Sequence, residues 1–206
     1  GFYEKEVEIG GMDALVTAGV NISNIGSKIS YTETGTKNFI PTNLRIGPGL
    51  KLKLNEYNDL SFGLDFNKLL VLTPPIYTQD STNSSNSVIL FGKDPDVGIA
   101  EGIFQSFSDA PGGGKEELRE VNIGFGMEYW YDKQFAFRAG YFYEDKTKGN
   151  RKYFTLGAGL RYNVFGLDLA YLIPTDQRNP LENTLHFTLT FDFDANAGNK
   201  EEAETE

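Results

Sequence analysis

Apolar residues recur at every second position in runs of about ten, a period that suits an extended strand, whose successive side chains point to opposite faces. The first run sets Ala14, Val16, Ala18, Val20 and Ile22 against Thr17, Gly19, Asn21 and Ser23. Leu44, Ile46, Leu50, Leu52 and Leu54 then alternate with Arg45, Gly47, Gly49, Lys51 and Lys53, and Leu60, Phe62, Leu64 and Phe66 with Ser61, Gly63, Asp65 and Asn67. The pattern returns as Val121, Ile123, Phe125, Met127, Tyr129; as Phe135, Phe137, Ala139, Tyr141, Tyr143; and as Phe154, Leu156, Ala158, Leu160, Tyr162. It closes with Leu167, Leu169, Tyr171 and with Leu185, Phe187, Leu189, Phe191, Phe193. About eight strands follow, and Pro48 predicts a bulge or a sheet edge within the second. None of these apolar sets holds a charged residue, whereas the opposite sets hold Arg45, Lys51, Lys53, Asp65, Glu128, Arg138, Arg161, Asp168 and Asp192.

Strand and loop lengths discriminate between antiparallel folds. Strands of soluble sheets commonly have about 5 to 6 residues, while a strand crossing a bilayer needs roughly 9 to 11, the length most of these runs reach. Asn55 to Asp59, Tyr131 to Gln134 and Asn163 to Gly166 form tight turns. Asn24 to Pro41, Leu72 to Glu117, Glu144 to Asn150 and Pro174 to Asn183 are longer and carry the Pro, Gly, Ser, Thr, Asn and charge of solvated loops. Alternating short and long connections predict an all-β fold, an antiparallel transmembrane β-barrel of the outer membrane with periplasmic turns and extracellular loops. Tyr129, Trp130, Tyr131, Tyr141, Tyr143, Tyr162, Tyr171, Phe191 and Phe193 gather near strand ends, where an interfacial girdle sits. Their β-propensity explains their number better than their position. Eight strands and a periplasmic C-terminus place the N-terminal end in the periplasm too. The alternative is a soluble lipocalin-type barrel with the apolar face inward.

Composition narrows the chemistry. With no Cys and one His, disulfides, thiolate metal sites and Cys nucleophiles are excluded and His-based zinc or triad chemistry loses its footing. The reading is non-enzymatic, with no cofactor and no metal. His186 sits on the polar face of the last strand without a Ser at catalytic spacing, so it is expected to face the lumen. A formal net charge of −10 and a pI near 4.7 argue against nucleic acid as a partner. No segment has the roughly 18 to 20 apolar residues of a membrane helix. The chain opens Gly1-Phe2-Tyr3-Glu4 without a signal-peptide pattern, and a processed or partial chain is expected. Gly112-Gly113-Gly114-Lys115 lacks the remainder of a phosphate-binding loop, since Glu116 follows the Lys. Asp65, Glu128, Asp168 and Asp192 share the polar face with Arg45, Arg138 and Arg161 and are expected to form interior ion pairs.

Residues 1–193 are therefore assigned to the barrel, with a long extracellular loop over 73–117, and 194–206 to an acidic periplasmic tail without fixed structure. The long loop exceeds what a plain connection needs, so it should carry structure or a task. Val88 to Phe91 fits a short strand; Asp96 to Phe107 fits a short amphipathic helix about as well as a strand; Asp109 to Gly114 ends either. Ile103, Phe104, Phe107, Asp109 and Pro111 are the candidate partner-binding residues, because loops on a rigid scaffold are where binding concentrates. The competing expectation packs Phe104 and Phe107 into the barrel mouth as a plug.

Several strings occur in a telling order: Ser106-Phe107-Ser108-Asp109-Ala110-Pro111-Gly112-Gly113, Gly126-Met127-Glu128-Tyr129-Trp130-Tyr131-Asp132, Arg138-Ala139-Gly140-Tyr141-Phe142, Lys148-Gly149-Asn150-Arg151-Lys152-Tyr153-Phe154, Tyr171-Leu172-Ile173-Pro174 and Asn179-Pro180-Leu181-Glu182-Asn183-Thr184-Leu185. Together they resemble the outer-membrane barrel family of the Bacteroidetes type IX secretion system, within the FadL-like long-chain fatty-acid transporters. The resemblance is strong over about residues 96 to 193 and merely consistent before them. It implies a barrel of about fourteen strands, of which this chain supplies the C-terminal eight or so, with a small closed eight-strand barrel as the structural rival. It implies a shuttle that takes cargo proteins bearing a C-terminal signal domain from the large translocon barrel to the cell-surface attachment complex with its sortase-like protease. Outer-membrane lipid and lipopolysaccharide would surround it. The alternative activity in the wider family is transport of hydrophobic small molecules, which needs an apolar path where this chain has charge and glycine. A lipid-modifying hydrolase, suggested for some relatives, needs a nucleophile and base not found here. The alternating aromatic end of the last strand resembles a barrel-assembly signal read by strand pairing.

Overall fold

The computed structural model describes residues 1–30, 37–79, 87–175 and 184–192. Its main body is one antiparallel sheet of nine strands: β1 (Phe2–Ile9), β2 (Met12–Ser23), β3 (Asn43–Lys53), β4 (Asn58–Leu69), β7 (Val121–Tyr131), β8 (Phe135–Tyr143), β9 (Lys152–Tyr162), β10 (Phe165–Pro174) and β11 (Leu185–Phe191), in that spatial order. Between β4 and β7 the chain makes a separate hairpin, β5 (Ile76–Gln79) with β6 (Ser87–Phe91), and two short helices, α1 (Ile99–Gln105) and α2 (Gly114–Arg119). Val88 to Phe91 is thus strand, and the ambiguous 96–107 segment resolves as helix over Ile99–Gln105.

The register turns eight local alternations into two continuous faces. Val16 stands opposite Leu50, Leu50 opposite Phe62, Phe62 opposite Met127 and Met127 opposite Ala139. Ala139 opposes Leu156, Leu156 opposes Tyr171 and Tyr171 opposes Leu185. Directly opposed residues share a face, so the apolar sets of all these strands merge into one surface and the polar sets into the other. The connections sort by end as well. Gly10-Gly11, 54–57, 132–134 and 163–164 lie at one end, and 24–42, 70–120, 144–151 and 175–184 at the other. Gly10 and Gly11 have φ of 61° and 80°, the left-handed pair that a two-residue type I′ hairpin requires.

Three expectations are corrected. The sheet has nine strands rather than eight, because Phe2–Ile9 pairs with β2 along its whole length. Gly1 consequently lies at the long-loop end, donating from its amino group to the Val20 carbonyl at 2.7 Å, not at the turn end as an eight-strand count required. Pro48 causes neither bulge nor edge. β3 lies between β2 and β4 in constant register, and the β3–β4 ladder skips only Gly47 and Pro48, where the missing N–H removes a bond. Phe193, the 179–183 string and the tail over 194–206 lie outside the described residues.

Burial is inverted relative to a water-soluble protein over β7 to β10, whereas in β3 Arg45, Lys51 and Lys53 are exposed and Leu44, Leu50 and Leu52 half-buried. On the apolar face Phe137 is 60% exposed, Leu156 53% and Phe187 65%. On the opposite face the side chains of Glu128, Arg138 and Asp168 are only 34%, 31% and 24% exposed. A lipocalin-type barrel buries its apolar set, and in this sheet Phe137, Leu156 and Phe187 of that set are exposed. β1 and β11 are its outer strands, and among the described residues no ladder joins them.

Candidate partner-binding surface

Two polar assemblies shape the molecule, one on the polar face and one at the loop end. On the polar face Arg138 of β8 bridges Glu128 of β7 and Asp168 of β10, and Arg161 of β9 closes on the other oxygen of Asp168 at 2.7 Å. Trp130 Nε1 donates to Glu128 at 2.6 Å, with the Arg138 and Arg161 guanidinium carbons 5.4 and 5.7 Å from the indole ring. Arg45 pairs with Asp65 at 3.2 Å and Lys51 with Asp59 at 2.8 Å. The pairs of Asp65, Glu128 and Asp168 with Arg45, Arg138 and Arg161 are those expected from the sequence; Lys51–Asp59 was not among them. Glycines make room for them: a Cβ on Gly159 would stand 2.7 Å from Asp168 and 2.9 Å from Arg138.

At the loop end, α1, α2 and the segment between them form a braced shelf. Helix α2 turns Glu116 and Glu117 inward, followed one turn on by Glu120. Lys68 at the end of β4 reaches Glu117 at 3.0 Å and Glu120 at 2.7 Å, and Lys148 of the β8–β9 loop reaches Glu116 at 2.6 Å and Glu120 at 2.9 Å. The remaining carboxylate oxygens hold backbone: Glu117 accepts from Ala110 N at 2.8 Å and Glu116 from Gly112 N at 2.7 Å. Thr73 donates through its hydroxyl to Glu120 and through its amide to Asp109, each at 2.7 Å. Lys148 is itself held by its loop, where Arg151 grips Glu144 with two bonds at 2.8 and 2.7 Å. Gly149, at φ 137°, leaves the space that Glu144 fills.

The electrostatics follow from these contacts. The Lys148 ammonium holds the Glu116 carboxyl below its ordinary range. Burial raises Glu120, but bonds from Lys68, Lys148 and Thr73 outweigh it and leave a net lowering. Asp109 moves the other way: burial pushes it up, Glu117 and Glu120 add to that, and the Thr73 amide offsets part.

The five candidate residues lie together on this shelf and divide into two kinds. Asp109 is 1% exposed and Ile103 and Pro111 are half-buried, so they support the shelf from within. The Ile103 carbonyl accepts from the buried Ser106 hydroxyl at 2.7 Å. Phe104 is 76% exposed, whereas Phe107 is 48% exposed and lines a groove with Leu118 and Val121. Helix α1 rests on Phe39 of the β2–β3 loop, and a Cβ at Gly102 would come within 2.7 Å of that ring. Sequence reasoning missed Lys68, Glu116, Glu117, Glu120 and Lys148, since their partners are up to 52 residues away in the chain. His186 lies on the polar face opposite Ala170. The arrangement can present two aromatic side chains on a rigid base.

No curated protein matches the chain. A family model described as "Type IX secretion system protein PorV" matches residues 1–76, covering β1 to β4 and the start of β5. The motif strings lie from residue 96 onward, so the two likenesses fall on different stretches of one sheet. The match over residues 1–76, joined to the expected all-β antiparallel fold, supports identifying the chain with the PorV family of type IX secretion system proteins.

Proposed function

We propose that this chain is part of a transmembrane β-barrel of the outer membrane that binds cargo proteins through their C-terminal signal domain at the translocon and passes them to the surface attachment complex. The inverted burial carries the membrane reading: a continuous face of exposed Phe, Leu and Val suits hydrocarbon and would be costly in water. Strands β2 to β4 and β7 to β10, of 9 to 12 residues, suit the bilayer thickness. Since an open sheet edge is not tolerated in lipid, β1 and β11 are paired in the membrane by strands beyond this chain. In this orientation the tight turns face the periplasm and the braced shelf faces outward, with Phe104 and Phe107 offered to protein partners.

The experiment is affinity purification from gently solubilised outer membrane, comparing the unaltered protein with a Phe104→Ser/Phe107→Ser variant. Co-purification of the large translocon barrel and of cargo with C-terminal signal domains is expected, and the variant should lose at least one of them while the barrel stays folded. Full recovery of both partners by the variant would remove the shelf from the reading. Recovery of lipid alone by the folded, unaltered protein would overturn the shuttle and favour transport of hydrophobic molecules.

A further inference from the structure

Helix α2 has a second face that the ion-pair cluster does not use. Glu116, Glu117 and Glu120 point inward, whereas Lys115, Leu118 and Arg119 fall on the opposite side at helical spacing and are exposed, Leu118 at 76%. The pairs that hold the shelf run from Lys68 and Lys148, which leaves the two cations of α2 directed outward. Below Leu118 is a groove of about 410 Å³ lined by Phe107, Leu118 and Val121, with Lys68 and Glu117 on its wall. Val121 opposes Lys68 at the top of the apolar face and is continuous with Ile123 and Phe125 below. The groove therefore lies at the upper margin of the surface assigned to hydrocarbon; Lys115 and Arg119 are outside its lining and flank Leu118 along the exposed side of the helix. On a chain of net charge −10, two adjacent outward cations at that level match an anionic headgroup better than another acidic surface.

We propose that α2 docks on the outer leaflet and binds a phosphorylated lipid there, its acyl chain against Leu118 and Val121 and its phosphate between Lys115 and Arg119. The inference rests on the membrane-spanning reading above and adds a lipid site to it. The contact fixes the height of the shelf above the bilayer, and with it the height at which Phe104 meets a partner.

The chain has no Cys, so single nitroxide labels at Leu118→Cys and Met127→Cys can be placed in the intact outer-membrane protein. The labelled protein is reconstituted in phosphatidylcholine nanodiscs with and without bisphosphorylated lipid A. Collision with oxygen and with a water-soluble nickel chelate gives the depth of each label. Position 127, in the middle of β7 on the apolar face, should be deep and position 118 at the interface. Native mass spectrometry should show lipid A retained by the unaltered protein and retention reduced about ten-fold or more by Lys115→Gln/Arg119→Gln, as expected for two cations at an anionic surface. A label at 127 open to nickel would sink the membrane reading itself. A deep 127 with 118 fully in water would sink the lipid site alone, as would equal retention of dephosphorylated lipid A or no effect of the double substitution. Protection of 118 only when protein partners co-purify would assign the face to protein instead.

Discussion

Glu120 is the residue on which the shelf turns, because its two oxygens are shared among Lys68, Lys148 and Thr73, which belong to three separate chain segments. Its carboxyl and that of Glu116 titrate below the unfolded value of 4.5, so each stabilises the folded shelf above that pH. That contribution is lost as pH falls through their lowered folded values. Asp109, raised by burial, has the opposite sign: its contribution is fully present below its unfolded value of 3.8 and fades as pH rises through the raised one. Two glutamates bonded to two lysines outweigh one buried aspartate. Acidification to below the ordinary carboxylate range should therefore release residues 106–120 while the sheet stays intact, and Glu120→Gln should reproduce part of that release at neutral pH. Amide hydrogen exchange over 106–120, expressed as protection relative to the unfolded chain at the same pH and compared with β8 and β9, checks both; a shelf whose protection is unchanged by acidification and by Glu120→Gln would show that these carboxylates do not hold it.

The strands separate what local pattern dictates from what it does not. In β7, Met127 is 42% exposed on the apolar face and Gly126 beside it has open space on the polar face. If lipid covers that face, Met127→Trp is accommodated, whereas a close-packed interior would be overpacked by about 1 to 3 kcal/mol. Met127→Arg should cost about 2 to 4 kcal/mol near the bilayer midplane, and Gly126→Ser little. Urea unfolding in bilayers of the three variants gives the comparison. Strands β2 to β4 and β7 to β11 were legible because each alternates without interruption. β1 was not: Lys5 falls opposite Val16 on the apolar side, and Glu4, Glu6 and Glu8 make the segment read as a charged terminus. The apolar spacing of Ile99, Ile103 and Phe104 hinted at α1. Helix α2 escaped because its inward face is acidic and is satisfied by lysines brought from elsewhere, a pairing that exists only after β4, β7 and the β8–β9 loop are assembled. The exposure of Phe104 and Phe107 was likewise invisible in the sequence, since both a plug and a partner surface use aromatic residues.

For the whole molecule the deciding property is topological, because β1 and β11 are the outer strands of the sheet and no ladder joins them among the described residues. Residues 1–206 produced alone and folded into bilayers should fail to give a monomeric, heat-modifiable barrel and should associate through β1 and β11. A compact heat-modifiable monomer from the same residues would establish the small closed barrel and remove the need for further strands. The Arg138–Asp168–Arg161 lattice also turns Trp130, the chain's sole tryptophan, into an optical reporter. With two guanidinium groups over its ring and its N–H held by Glu128, that indole reports on a single place near the turn end. It stands roughly 30 Å from Val121 along β7, at about 3.3 Å per residue. Any change in intrinsic emission when a partner meets the shelf must then be carried along the length of the strands, and an unchanged emission would mean that the sheet is a passive mount for the surface it carries.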